Sequence, residues 1–150
     1  MLKEKLEQDL KDAMRAKDKL RMTTIRSLKS GLLEKEIEER EGGQASLSEE
    51  QQVAVLQKQA KQRRDAAEQY DQAGRDDLAQ RERDELAIIG EYLPAQLSDD
   101  EIRSAVHQIV AGMGEPSPSM MGQVMGEAMR QLRGKADGRR VQAIARELLG

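Results

Sequence analysis

Arg130, Arg133, Lys135, Arg139 and Arg140 crowd one short stretch with Asp137 as the only acid among them, a net of 5 − 1 = +4. Cations at this density neutralise phosphates with little need for other specificity; a solvated helix surface is the competing explanation. Just upstream, Gly122 and Gly126 stand about one helical turn apart. Two glycines inside a helix cost about 2 kcal/mol relative to alanine. Their face is therefore expected to admit the close approach of another backbone, either a neighbouring helix or a ligand. That face continues through Met129 or Arg130 to Arg133. The turn from Gly134 to Arg140 then brings Lys135, Arg139 and Arg140 near a helix N-terminus. Asp137 is placed to occupy that cap itself, which argues against an anion bound there. Met120, Met121, Met125 and Met129 share the segment and offer a different chemistry, an adaptable apolar groove for a partner helix.

Two further basic stretches exist. Lys11, Arg15, Lys17, Lys19, Arg21, Arg26 and Lys29 are accompanied only by Asp12 and Asp18, a net of 7 − 2 = +5, and Lys58, Lys61, Arg63 and Arg64 form the other. Both read as solvated helix faces or phosphate contacts. With Tyr70 and Tyr92 the only aromatics, base stacking of the single-strand-binding kind has almost no platform. Any nucleic acid is expected to be recognised as a folded shape, such as a tRNA elbow.

Other chemistry finds little support. The absence of cysteine excludes thiolate nucleophiles, disulfides and Cys-ligated zinc. A single histidine, His107, cannot supply a two-histidine metal site and reads as a solvated helix residue. Gly134-Lys135 is the only Gly-Lys pair, but Met129 precedes it where a phosphate loop needs glycine and Ala136 follows it. Pairs such as Glu34 with Glu38 and Asp77 with Arg81 have ordinary helix-surface spacing. Ser27 and Ser30 beside Lys29 specify nothing.

The elements that must position these residues are helices. Leu2, Leu6, Leu10 and Met14 recur every four residues and predict a first amphipathic helix. A second follows Lys17-Asp18, with Met22, Ile25, Leu28, Leu32 and Ile37 facing inward, and ends near Gly42-Gly43. Ser48 and Gln51 form a capping box for the third, which carries Val53, Leu56, Ala60, Ala67 and Tyr70 and breaks at Gly74. The fourth carries Leu78, Leu86, Ile89 and Tyr92, and Pro94 stops it. Ser98 and Glu101 open the fifth, with Ile102, Val106, Ile109 and Met113 inward, before a loop over 112–118. Ser119 is expected to cap the sixth, which ends with Gly134 at C′, and Asp137 to cap the seventh, with Val141, Ile144 and Leu148 inward. No segment alternates as a strand does. The expected fold is all-α and two-lobed, a four-helix N-terminal lobe over 1–93 and a three-helix C-terminal lobe over 94–150.

Composition agrees with a folded helical chain. Leu, Ile and Val number 16, 7 and 6, a proportion near the disordered range, but 28 acids nearly balance 25 bases for a net charge of −3. The balance is uneven: residues 117–150 sum to 6 − 3 = +3, so the first 116 sum to −6. Met1-Leu2-Lys3-Glu4-Lys5 does not begin a secretory signal, and no apolar run approaches the roughly 20 residues that span a bilayer. Cytoplasmic residence without membrane contact is the resulting expectation.

Several runs together resemble the GatB/YqeY family: Gln62-Arg63-Arg64-Asp65-Ala66-Ala67-Glu68-Gln69-Tyr70, Gly74-Arg75-Asp76-Asp77-Leu78, and Glu91-Tyr92-Leu93-Pro94-Ala95-Gln96-Leu97-Ser98. Met121-Gly122-Gln123-Val124-Met125 and Gly134-Lys135-Ala136-Asp137-Gly138 extend the match to essentially the whole chain. The resemblance implies the same four-plus-three helical fold, similar to the helical tail of the B subunit of the tRNA-dependent amidotransferase, a tail understood to contact tRNA. It also implies that a family label of carbon–nitrogen ligase with glutamine as amido donor is inherited from the larger enzyme, whose catalytic cradle lies in another domain. The expectation is a stand-alone tRNA-binding or tRNA-amidotransferase-associated protein, not catalytic alone, with no cofactor or metal and any activity that of an accessory. Its partners would be tRNA and amidotransferase or aminoacyl-tRNA synthetase components; oligomeric state stays open. Arg130, Arg133, Lys135, Arg139 and Arg140 would bind nucleic acid, with Gly122 and Gly126 allowing close approach. A protein–protein adaptor using the methionine groove is the alternative.

Overall fold

The structure, a computed structural model, describes residues 1–150. Seven α-helices and one short 3₁₀ turn account for its regular structure: α1 (Leu2–Ala16), α2 (Lys19–Glu41), α3 (Glu49–Gln72), α4 (Asp76–Gly90), α5 (Asp99–Ala111), α6 (Met121–Leu132) and α7 (Gly138–Leu149), with the 3₁₀ turn at Pro118–Met120. The protein is all-α, as its periodicity predicts. No helix is long and apolar enough to cross a membrane.

Local chemistry explains the helix boundaries. Lys17 ends α1 in the left-handed region (φ 56°), and Asp18 caps α2 by accepting from the Arg21 amide at 3.1 Å. Both expected capping boxes form, Ser48 with Gln51 and Ser98 with Glu101, so each satisfies two backbone amides that helix starts leave unpaired. Gly74 takes φ +73° after α3, and Gly134 takes φ +83° after α6, conformations that cost an L side chain energy.

Five expectations shift. The hydroxyl that precedes α6 belongs to Ser117, which accepts from the Ser119 amide, and Ser119 lies inside the 3₁₀ turn that Pro118 starts. The fourth helix stops at Gly90, and Tyr92 and Leu93 continue it only as tight turns whose amides donate to Ile89 and Gly90. Met113 lies beyond α5 and is 37% exposed, while Val110 fills the inward position. Met14 and Ile37 face outward, 52% and 47% exposed. Ile37 is turned out because α2 outruns its core: the last α2 residue buried there is Leu32, and Leu47 in the following loop closes that end.

The chain forms two compact units, Met1–Leu93 and Pro94–Gly150. The first gathers Leu6, Ile25, Leu28, Leu32, Leu56, Ala60 and Ile89 into one core. The second gathers Ile102, Val106, Val124, Ala128, Leu132, Val141 and Ile144. Each unit thus buries its own apolar set.

Candidate nucleic-acid interface

The cationic segment joins α6 to α7 at one end of the second unit. Its turn is held from the side by the lead-in to α5. The Leu97 amide donates to the Lys135 carbonyl (2.9 Å) and Gln96 Nε2 to the Gly134 carbonyl (2.8 Å). Ala136, 2% exposed, anchors the turn in the core, and Met129 Cε lies 3.8 Å from where a side chain on Gly138 would begin. The backbone carrying Arg133, Lys135 and Arg139 is therefore fixed while all three residues are exposed.

The five cations are not equivalent. Arg140 is already engaged: its Nε donates to Asp99 Oδ1 at 3.0 Å and its Nη2 to the Leu97 carbonyl at 3.2 Å. It braces α7 against the start of α5, a role that its place in a run of cations does not announce. Arg130 Nε donates to Glu127 Oε2 at 3.0 Å. Hydrogen bonds from Arg130 and then from Gln131 hold the Glu127 carboxyl down to about 2, so this pair is ionised at any physiological pH. Asp137 fills the α7 cap by accepting from the Arg139 amide at 3.2 Å, which leaves a carboxylate where an anion would otherwise sit.

Gly122 and Gly126 are exposed, and a Cβ on either would meet nothing within 4 Å. They do not serve packing of a neighbouring helix in this chain. On the helical wheel they fall between Met125 and Met129 on one side and Arg130 on the other. The methionine groove does not form as an exposed surface: Met120, Met121, Met125 and Met129 are half-buried against their own unit's core.

In the other basic stretches several cations have partners. Arg15 pairs with Asp12, Arg21 with Glu91 and Lys29 with Glu7. Arg63 is largely buried; its Nε lies 3.5 Å from Glu85 and its Nη2 donates to Ser27 Oγ at 2.9 Å. Ser27 Oγ donates to Gln59 Oε1 at 2.9 Å, and Gln59 Nε2 donates to the Ser27 carbonyl at 2.8 Å. This network binds α2, α3 and α4 together, so Arg63 is internal glue rather than a surface cation. Nothing in the local spacing marked it; the partners lie 36 and 22 residues away in sequence. His107 is exposed on α5.

The fold and this cationic end define an all-helical protein of two compact units. The model of the Yqey-like protein family matches residues 3–149, and the chain belongs to that family. It is similar to the proteins named "Altered inheritance of mitochondria protein 41, mitochondrial" of several fungi. That of Kluyveromyces lactis is 35% identical over 134 residues, covering 88% of this chain and 67% of the relative. The Lachancea thermotolerans relative is 39% identical over 118 residues, covering 77% and 61%, and the Clavispora lusitaniae relative 42% over 100 residues, covering 65% and 56%. The chain thus spans between 56% and 67% of the length of these curated relatives.

These names overturn the expectation of cytoplasmic residence, because the relatives are mitochondrial by name. That expectation rested on the lack of a secretory leader and of a membrane span, and neither feature distinguishes a cytoplasmic protein from one imported into an organelle.

Proposed function

We propose that this protein is a helical tRNA-binding or tRNA-amidotransferase-associated protein, and that it meets RNA through the α6–α7 end. Arg130, Arg133, Lys135 and Arg139 serve as phosphate contacts, while Arg140 keeps the turn in shape through Asp99 and Leu97. One observation supports this reading above the rest: two glycines weaken an exposed helix flank with no packing gained inside the chain, and that flank leads to the cations. A sugar–phosphate backbone can lie against bare helix there. Glu127 beside Arg130 offsets part of that cation's charge. The relatives' names specify no ligand, so the reading stands on this chain's residues and on the family's likeness to the amidotransferase tail.

The test is ultraviolet crosslinking of the full chain to RNA in cells, with crosslinked peptides identified after ribonuclease trimming. The expected result is tRNA attached within residues 122–139. Crosslinks confined to the first unit, or none above background, would overturn the proposal.

A further inference from the structure

Helix α2 carries apolar side chains on two opposite faces. Inward it buries Thr24, Ile25, Leu28 and Leu32. Outward, at about 100° per residue, Lys19, Thr23, Arg26, Ser30, Leu33 and Ile37 fall in one stripe about 80° wide, and all six are exposed. The stripe is about 27 Å long at 1.5 Å per residue and holds no acid, although the unit carries 21 acids against 18 bases. Leu33 and Ile37 are 52% and 47% exposed and stand one turn apart. The other large exposed apolar side chains, Met1, Met14 and Met113, lie at a terminus, near a helix end and in a loop.

The neighbouring cations show that this arrangement is selective. Arg21 and Lys29, further round the helix, are drawn to Glu91 (2.8 Å) and Glu7 (3.6 Å), while Lys19 and Arg26 project outward. Between them Thr23 turns its hydroxyl back to the Lys19 carbonyl at 2.9 Å. Small side chains at Thr23 and Ser30 let a second helix approach at ordinary packing distance, 8–10 Å. Beside the apolar end stand Glu34 and Glu41 on one flank and Arg40 on the other, while Glu38 is drawn to Lys35 at 3.4 Å.

We infer that the outer face of α2 docks an amphipathic helix of a partner protein, one with acids over Lys19 and Arg26, apolar residues over Leu33 and Ile37, and a base near Glu34 and Glu41. The charge order identifies the occupant. An RNA backbone or an anionic lipid surface would meet carboxylates at the apolar end, and RNA gains nothing from exposed Leu33 and Ile37. A helix with this pattern satisfies both ends at once. The surface belongs to the first unit, and the inference does not depend on the RNA reading of the second.

The experiment titrates the isotopically labelled full chain with a synthetic helical peptide of about 20 residues, enough to span the stripe, glutamate-rich at one end, leucine-faced in the middle and lysine-rich at the other. The same peptide in reversed order covers the opposite orientation, and a charge-inverted peptide is the control. One of the first two should shift backbone resonances of 19–37 saturably. Lys19→Glu with Arg26→Glu should weaken binding about tenfold or more, and this double variant should prefer the charge-inverted peptide. Leu33→Asp should abolish binding while circular dichroism stays native. The inference is overturned if no peptide shifts 19–37, or if the charge-inverted peptide binds the unaltered chain better. It is equally overturned if tRNA or anionic vesicles bind in a Lys19- and Arg26-dependent way, or if Leu33→Asp instead dissolves a self-association of the chain.

Discussion

Tyr92 ties the end of the first unit back to its first helix. Its hydroxyl donates to Asp9 Oδ2 at 2.5 Å, with Lys5 Nζ 5.8 Å from the ring centre and 3.2 Å from the same carboxylate. Burial and then the Asp9 hydrogen bond push the phenol above its ordinary value, while that bond, against the effect of burial, holds Asp9 below the usual carboxylate range. The raised phenol stabilises below about pH 10, and this is lost as pH rises further; the lowered carboxylate stabilises above about pH 4, and this is lost as pH falls through its folded value. Tyr92→Phe should therefore cost about 1–2 kcal/mol near neutrality, with the difference shrinking outside that window. Denaturant titrations at several pH values check this; a pH-independent difference would contradict it. Gly122→Ala with Gly126→Ala makes the opposite kind of change. Open space surrounds both positions, so the double variant should gain about 1–2 kcal/mol in stability from helix propensity while losing affinity for tRNA. A destabilised double variant would show that the flank is packed after all. The glycines' cost was legible in the sequence, since it is a local backbone property. The Tyr92 partner was not, because Asp9 lies 83 residues away.

At the scale of elements, α2 and α3 are joined where Gly31 faces Gln59. A Cβ on Gly31 would stand 2.4 Å from Gln59 Nε2, and that amide is committed to the Ser27 carbonyl. Gly31→Ala must displace it, so a loss of about 1–3 kcal/mol is expected from the broken bonds and local overpacking. Thermal unfolding measures it; an unchanged midpoint would mean that Gln59 reaches other partners freely. The sequence showed helix starts best where a hydroxyl and its reciprocal partner are three residues apart, as at Ser48 with Gln51 and Ser98 with Glu101. It failed at α6, where Pro118 inserts a 3₁₀ turn and shifts the useful hydroxyl to Ser117. Ile37 misled for another reason: periodicity gives a helix its phase, but where the opposing core ends is set by residues in other elements.

At the scale of the molecule, each unit encloses its own core, which makes independent folding of the first one the expected outcome. A fragment of residues 1–98 should unfold cooperatively, as a four-helix bundle can; a fragment with helical dichroism but no cooperative transition would mean that the units stabilise each other. Helix periodicity and the family motifs made the all-α class readable in advance. The candidate site was readable only as a set of charges, because the engagement of Arg140 with Asp99 crosses 41 residues and no local pattern separates a bracing cation from an exposed one. That distinction sets the decisive measurement, tRNA affinity as a function of salt for the unaltered chain, for Arg130→Gln, Arg133→Gln, Lys135→Gln and Arg139→Gln combined, and for Arg140→Gln alone. The fourfold variant should stay near native stability, as exposed charges contribute little. Its slope of log affinity against log salt should fall by up to about 0.9 for each phosphate that is no longer neutralised, the duplex value serving as a ceiling. Arg140→Gln should lower stability first and affinity through it. An unchanged affinity and slope in the fourfold variant would contradict the account, for then the α6–α7 end is not where this protein meets RNA.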